Sequence, residues 1–262
     1  LKFTGGTGDI TFADTAPVFT PGDNFNTVLY TGNGGTQAIT GLGFQPDFVW
    51  IKQRTLTESH SLFDTVRGVD LFLRSDTTAA ENNFGGTYGV NSFDSNGFTV
   101  GSGSAVNGNG YSMVGWSWKA GGAARNNTNG SIASLVSANV DAGFSVVKYT
   151  GSVSQTGTVG HGLGVAPNAI FVKNIDNAYN WVCYFSELGA SDYLSLNQTY
   201  GISGSDSRMW NNTSPTSSVF TASNGNFVPV NENGSNFVAY CFHSVAGYSK
   251  IGSYTGNGSA TG

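Results

Sequence analysis

Apolar and polar residues alternate along much of the chain, and this alternation predicts β-strands. In the stretch FVWIK, Phe48, Trp50 and the stem of Lys52 fall on one face, whereas Val49 and Ile51 fall on the other. A period of two residues with aromatic and β-branched side chains is typical of strands. In the first part of the chain we expect short strands near residues 28–31, 36–40, 47–53, 60–65, 70–74, 91–94, 97–101 and 111–119. No segment shows helical periodicity beyond a turn or two, which predicts an all-β protein.

Turn residues separate the predicted strands. Asn–Gly pairs occur at 33–34, 96–97, 109–110, 224–225 and 233–234. Such pairs are typical of hairpins, because both residues tolerate a positive φ. Eight short strands in roughly 100 residues suit an antiparallel two-sheet sandwich or a jelly roll.

The predicted core sequence is written twice. GLGFQPDFVWIK at 41–52 returns as GLGVAPNAIFVK at 162–173, so that Lys173 lies 121 positions after Lys52. VLYTGNGG is likewise similar to the later segment VKYTGSVS, and YSMVGWSWK is similar to SNFVAYCFH. A period of this length suits a whole small domain rather than a solenoid repeat. The duplication therefore predicts two tandem modules of the same fold.

The repeat also suggests boundaries for these modules. We expect β-sandwich modules at 28–122 and 147–250, after an N-terminal lead-in at 1–27. The Gly- and Asn-rich stretch 123–146 is interpreted as a flexible linker. SYTGNGSATG near the end matches the Tyr-Thr-Gly of the earlier copies, so 251–262 is interpreted as the start of a third repeat.

Composition narrows the function classes. Only 10% of the 262 residues are charged, and the 11 basic residues are scattered within a net charge of −5, so we expect no nucleic-acid partner. No apolar run reaches the ~18 residues of a membrane span, so no membrane insertion is expected. Cys183 and Cys241 lack the spacing of a zinc site and are interpreted as reduced, buried side chains, with a disulfide as the alternative.

A resemblance rests on several of these segments. YTGNG, GLGFQPDFVWIKQRT, HSLFDTVRG, NGFTVGS and VGWSWKAGG, with HGLGVAP and NWVCYF later on, resemble repeated domains of unknown function in structural proteins of marine tailed bacteriophages, especially cyanophages. The resemblance covers nearly the whole chain from residue 8 onward. It implies concanavalin-like lectin sandwich modules in a tail fibre or virion surface protein. It supplies no catalytic residue to carry over.

The residues themselves offer little catalytic chemistry. Glycosidases need two carboxylates roughly 5–9.5 Å apart, and no closely spaced or repeated acid pair is present, although Asp192 and Asp206 could meet in space. His60, His161 and His243 lie on separate predicted elements, so we expect no metal site, no cofactor and no catalytic residue. We interpret His161 as a turn-bonding or solvated side chain.

Aromatic residues are the best candidates for binding. Trp50, Trp116, Trp118 and Trp181 have counterparts in the repeat, so most of them are expected in the core. Trp210 instead lies in SDSRMWNNTS, which has no counterpart. The sequence therefore nominates Arg208, Trp210, Asn211 and Asn212 as a glycan or partner contact on a loop, with ordinary loop packing as the alternative.

Together, these observations predict a non-enzymatic virion surface protein, a tail fibre or capsid decoration, located on the outside of the particle. We expect its partners to be copies of itself, with a trimer first, other virion proteins and a host surface glycan. A glycan-degrading depolymerase is the alternative of another class, and a bacterial cell-surface adhesin is a further one.

Overall fold

The computed structural model describes residues 20–202, 209–224 and 229–259. Within these ranges the protein is all-β, as expected, with antiparallel sheets and two short helical turns, a 3-10 turn at Pro21–Asp23 and α1 at Ser104–Asn107. No helix in this part of the chain could cross a lipid bilayer.

The first half of the fold contains two sheets. The larger has the order β1 (Phe25–Thr31), β9 (Ser112–Trp118), β3 (Phe48–Gln53), β4 (Ser61–Asp64), β5 (Gly68–Leu73) and β6 (Asn82–Asn83). The smaller has the order β2 (Gln37–Thr40), β8 (Gly97–Val100) and β7 (Val90–Asp94). These strands lie where the alternation predicted them, apart from the two-residue β6.

The second half repeats this plan. Its larger sheet has the order β10 (Arg125–Asn127), β11 (Ser134–Asn139), β12 (Phe144–Thr150), β17 (Asn236–Phe242), β14 (Ala169–Asn174) and β15 (Val182–Phe185). The smaller sheet pairs β13 (Thr156–Gly160) with β16 (Val219–Ser223).

Equivalent strands of the two halves have the same order and the same register. The run β1, β9, β3, β4 corresponds to β12, β17, β14, β15. Phe48 lies opposite Trp118 in the first half, and Ala169 lies opposite Phe242 in the second. The duplicated sequence segments therefore form equivalent strand pairs in the two halves. A one-residue slip would turn every side chain to the other face.

The interpretation of 123–146 as a flexible linker is wrong. These residues include β10, β11 and the first residues of β12, and β11 pairs with β12 along its whole length. The Gly- and Asn-rich beginning hid a strand because its apolar residues are few. Leu135 is partly exposed, whereas Val136 is buried.

The repeated Gly-Leu-Gly segments form tight turns before β3 and β14. Gly41 and Gly43 have φ values of 98° and 85°, and Gly162 and Gly164 have values of 74° and 73°. L-residues with side chains rarely adopt such angles. Leu42 and Leu163, which lie between the two glycines of each segment, are buried. Each turn is therefore anchored in the core of its own half.

The tyrosines of the first two Tyr-Thr-Gly segments each stabilise a turn of their own half through a hydrogen bond. Tyr30 donates its hydroxyl hydrogen to the carbonyl oxygen of Val106 at 2.5 Å, and Tyr149 donates to that of Val230 at 2.6 Å. Burial raises the pKa of both phenols, which keeps them protonated as donors.

Replacing Tyr149 with phenylalanine should lower the free energy of unfolding by about 1–3 kcal/mol, because the buried Val230 carbonyl would lose its partner. Tyr30→Phe should have a similar effect through Val106. Tyr254→Phe is the matched control, since this third tyrosine is exposed, and its effect should stay within about 0.5 kcal/mol. Denaturant titrations measure all three, and equal effects at Tyr149 and Tyr254 would contradict this role of the hydroxyl.

Three apolar clusters connect the sheets. One lies between the larger and smaller sheets of the first half, and one occupies the same place in the second half. The third contains residues of both halves, among them Phe48, Leu62, Phe144 and Tyr240, and lies between the two larger sheets. The order of layers is therefore small sheet, large sheet, large sheet, small sheet.

Candidate functional site

The two large sheets face each other through aromatic side chains. The rings of Phe48 and Tyr240 are stacked with centroids 4.4 Å apart, and those of Phe48 and Phe144 are 5.9 Å apart. Trp118 meets Phe242 edge to face at 6.4 Å. Aromatic pairs in such arrangements contribute about 0.5–1.5 kcal/mol beyond the area they bury. The halves are thus joined by an aromatic interface.

This interface follows from strands that are apolar on both faces. In β3, Val49 and Ile51 belong to the core of the first half, while Phe48 and Trp50 face the other half. A strand buried on both faces reads as a continuous apolar run rather than as a clean alternation. The segments FVWI at 48–51 and AIFV at 169–172 show such a continuous apolar run.

A buried polar network crosses the same interface. The Tyr240 hydroxyl donates to Asp64 Oδ2 at 2.8 Å, and Arg67 Nε donates to the same carboxylate oxygen. Arg67 also pairs with Glu81 at 2.9 Å and donates to the Leu62 carbonyl oxygen at 2.9 Å. Burial tends to lower the pKa of Arg67, but Asp64 and the other anionic partners raise it, so the guanidinium stays charged. Each partner is satisfied, which a buried charge requires.

Trp181 adds a second polar contact between the halves. Its side chain is 0% exposed, and its indole Nε1 donates to the carbonyl oxygen of Arg74 at 2.8 Å. Its ring stacks on Tyr240 with centroids 6.2 Å apart. The expectation that Trp181 lies in the core is confirmed.

An aromatic cleft opens where this packing is incomplete. It is a half-enclosed cavity of about 240 Å³, lined by twelve side chains that are all aliphatic or aromatic. Its aromatic walls come from both halves: Phe48, Trp50, Trp118, Phe171, Trp181, Phe185, Tyr240 and Phe242. The four aliphatic side chains of the lining are Leu62, Ala169, Leu196 and Ile251. Concave, largely apolar cavities of this kind are the usual form of a ligand site.

One polar group lies beside the cleft. The indole Nε1 of Trp50 donates to His60 Nδ1 at 2.7 Å, and both side chains are half-buried. Burial lowers the pKa of His60, so the ring is neutral at pH 7. Because Nδ1 accepts this bond, the proton of the neutral ring is on Nε2. A neutral imidazole therefore lies next to Trp50, one of the residues that line the cleft.

The lysines at the ends of the duplicated segments 41–52 and 162–173 have a structural role. Lys173 is 0% exposed and its Nζ donates to the backbone carbonyls of Asn174 at 2.8 Å and Asn177 at 3.2 Å. Burial lowers the pKa of Lys173 to about 8. Lys52 makes the equivalent bond to the carbonyl of Gln53 at 2.7 Å. Both lysines satisfy carbonyl groups where β3 and β14 end.

The carboxylates of Asp47 and Glu232 likewise accept hydrogen bonds from groups that hold turns and strands in place. Asp47 accepts hydrogen bonds from the backbone N–H groups of Ala120 and Gly122 at 2.7 and 3.2 Å. Glu232 Oε2 accepts from Asn174, as well as from Asn177 and Ser235, at 2.8–3.0 Å. Burial is the largest influence on Asp47 and raises its pKa, although these donors counteract it. The described ranges hold no group of three His, Cys, Asp or Glu side chains suited to a metal ion.

Buried histidine and cysteine side chains also have structural roles. His161 Nδ1 accepts from the N–H of Leu163 at 3.2 Å, and its Nε2 lies 3.1 Å from the carbonyl oxygen of Thr216. Its interpretation as a turn-bonding residue is confirmed. Cys183 and Cys241 are free and buried, and burial raises the pKa of each thiol to about 12.

The loop nominated from the sequence is only partly available for binding. Arg208 lies outside the described residues, as does Asp206. Trp210 is 1% exposed and packs in the core of the second half, with its ring 5.7 Å from that of Tyr184. The expectation of a loop tryptophan able to stack on a sugar is corrected, because apolar burial outweighs exposure in a polar loop. Asn211 and Asn212 are exposed, with φ values of 49°.

The chain matches a known protein family but no curated protein or solved structure. A family of domains of unknown function matches residues 20–262, which includes every strand described above. The chain therefore belongs to the family described as Domain of unknown function (DUF7483).

Proposed function

We propose that this chain is a non-enzymatic structural and attachment component of a bacteriophage virion, built from two tandem antiparallel β-sandwich modules of jelly-roll type. The observation that carries the proposal is the duplicated strand order and register, joined through one aromatic interface. The resemblance of the repeated words to virion structural proteins supplies the biological setting. A rigid pair of modules suits a protein that presents surfaces to neighbouring subunits.

The role of the carboxylates favours this function over a depolymerase. Asp47, Asp64 and Glu232 accept hydrogen bonds from groups that hold turns and sheets together. A general acid or base must instead reach the proton of a substrate. These side chains serve the fold, which supports a structural role.

The surface composition suits assembly. Charged residues are only 10% of the chain, so contacts between copies desolvate few charges. We infer a homo-oligomer, with a trimer first, that also contacts other virion proteins. Asn211 and Asn212, which are exposed, are the remaining described side chains of the nominated glycan contact.

The test uses intact particles of a phage that encodes this chain. An antibody against the purified chain, visualised by electron microscopy with gold, should label the surface of washed virions, and mass spectrometry should detect the chain in them. A chain found only in the lysate would contradict the proposal, and labelling of uninfected bacteria would favour the adhesin. Release of reducing ends from host polysaccharide by the purified chain would favour the depolymerase.

A further inference from the structure

The aromatic cleft continues the interface between the halves but leaves space that no side chain of residues 20–202, 209–224 and 229–259 fills. Trp118 and Phe242 line this cleft and also a second apolar cavity of about 220 Å³, and Ile251 lies at both. An apolar cavity of about 150 Å³ in another protein stays dry and binds benzene. A cavity of about 240 Å³ with aromatic walls therefore has room for one aromatic ring.

The lining selects the chemistry of the occupant. All twelve lining side chains are aliphatic or aromatic. A sugar would bring several hydroxyl groups into this space, and each one buried without a partner costs free energy. A ring of low polarity keeps the aromatic packing that joins Phe48 to Tyr240. The cleft thus suits an aromatic side chain better than a saccharide.

Among the exposed tyrosines of the described residues, Tyr254 stands out from Tyr88 and Tyr200, which are 52% and 47% exposed. Tyr254 is 94% exposed, whereas Tyr30 and Tyr149, its counterparts in the repeat, have their hydroxyls bonded within their own halves. The segment 253–259 around it contains no charged residue, which matches the uncharged lining. Tyr254 follows Ile251 by only three positions, yet its ring lies in solvent rather than in the cleft of its own chain.

We propose that the aromatic cleft binds the side chain of Tyr254 from a second copy of this chain. The cleft supplies aromatic walls from both halves, and the second copy supplies the ring on its segment 253–259. The pairing of a cleft with a distant tail is heterologous, so it joins copies head to tail. This inference is independent of a virion location.

The first experiment measures self-association of the full chain over a range of concentrations by analytical ultracentrifugation. The wild type should associate, and Tyr254→Ser should raise the dissociation constant by roughly 30-fold or more, as loss of a central aromatic anchor does. Tyr88→Ser is the matched control, because Tyr88 is also exposed but does not line the cleft. A wild type that stays monomeric, or an unchanged Tyr254→Ser, would overturn the proposal.

The second experiment tests the cleft with p-cresol, which is the tyrosine side chain as a free molecule. In the Tyr254→Ser chain, p-cresol should shift the NMR signals of Trp50 and Trp118. Leu196→Lys should weaken this binding by roughly tenfold, since it places a charge at an apolar contact. Val153→Lys, another exposed aliphatic position, should leave it unchanged.

Three outcomes of these measurements count against the assignment. Binding of methyl glucoside in place of p-cresol at the same signals would overturn the aromatic chemistry. Burial of Tyr254 that does not depend on concentration would assign the cleft to the tail of the same chain. Equal effects of Leu196→Lys and Val153→Lys would place the binding elsewhere.

Discussion

Replacing Trp181 with alanine should lower the free energy of unfolding by about 3–5 kcal/mol, the range for large aromatic side chains lost from a core. Its side chain is 0% exposed, and it contributes to the cluster that joins the halves. The substitution also leaves the Arg74 carbonyl without the indole donor. Because Trp181 belongs to the second half and Arg74 to the first, the effect reports on the interface between them.

Guanidinium chloride titrations followed by far-UV circular dichroism measure this effect, with the slope reporting the surface exposed on unfolding. Tyr88→Ala is a matched control at an exposed aromatic position, and its effect should stay within about 0.5 kcal/mol. If the halves unfold as one unit, Trp181→Ala moves a single transition to lower denaturant. A transition unchanged from the wild type would show that Trp181 is not packed as described.

The sequence was sufficient to predict most strands of the first half and the repetition of its core segments, but not β6, β10 or β11. Alternation depends only on which side chains face an apolar environment, and this local rule placed β3 and β9 within a few residues. The duplicated words then implied equal pairing, which the common register of Phe48 with Trp118 and Ala169 with Phe242 bears out. The glycine corners were equally readable, because the left-handed backbone restricts the choice of residue.

The contact between the halves was not readable from local pattern. A strand with apolar residues on both faces must be buried on both faces. Its sequence does not show which other strands it packs against. Asp64 and Tyr240 are separated by 176 positions, so their hydrogen bond has no signature in spacing. Trp210 misled for a related reason, since its polar neighbours in sequence are not its neighbours in space.

The duplicated halves differ where they meet. Asp64 pairs with Phe48 in β4, and the equivalent position in β15 is Phe185, which pairs with Ala169. The position of Tyr240 is occupied by Trp116 in the first half. The equivalent residues Phe185 and Trp116 therefore cannot form a second copy of the Asp64–Tyr240 hydrogen bond.

The buried network should be the most sensitive polar feature of the fold, and Arg67→Ala tests it. We expect a loss of about 3–5 kcal/mol in the free energy of unfolding, because Asp64 would stay buried without its cationic partner. Arg125→Ala, at an exposed position of β10, is the matched control and should change stability by no more than about 0.5 kcal/mol. Arg67→Met keeps much of the apolar stem, so its cost separates charge from packing.

A double-mutant cycle then locates the coupling between the halves. Tyr240→Phe removes only the hydroxyl that donates to Asp64 and accepts from Arg67 at 3.3 Å. Combined with Arg67→Ala, it should show a coupling of about 0.5–3 kcal/mol, the range for residues in one hydrogen-bond network. Additive effects of the two substitutions would mean that the network stabilises the first half alone. The aromatic packing would then be the main interaction that joins the halves.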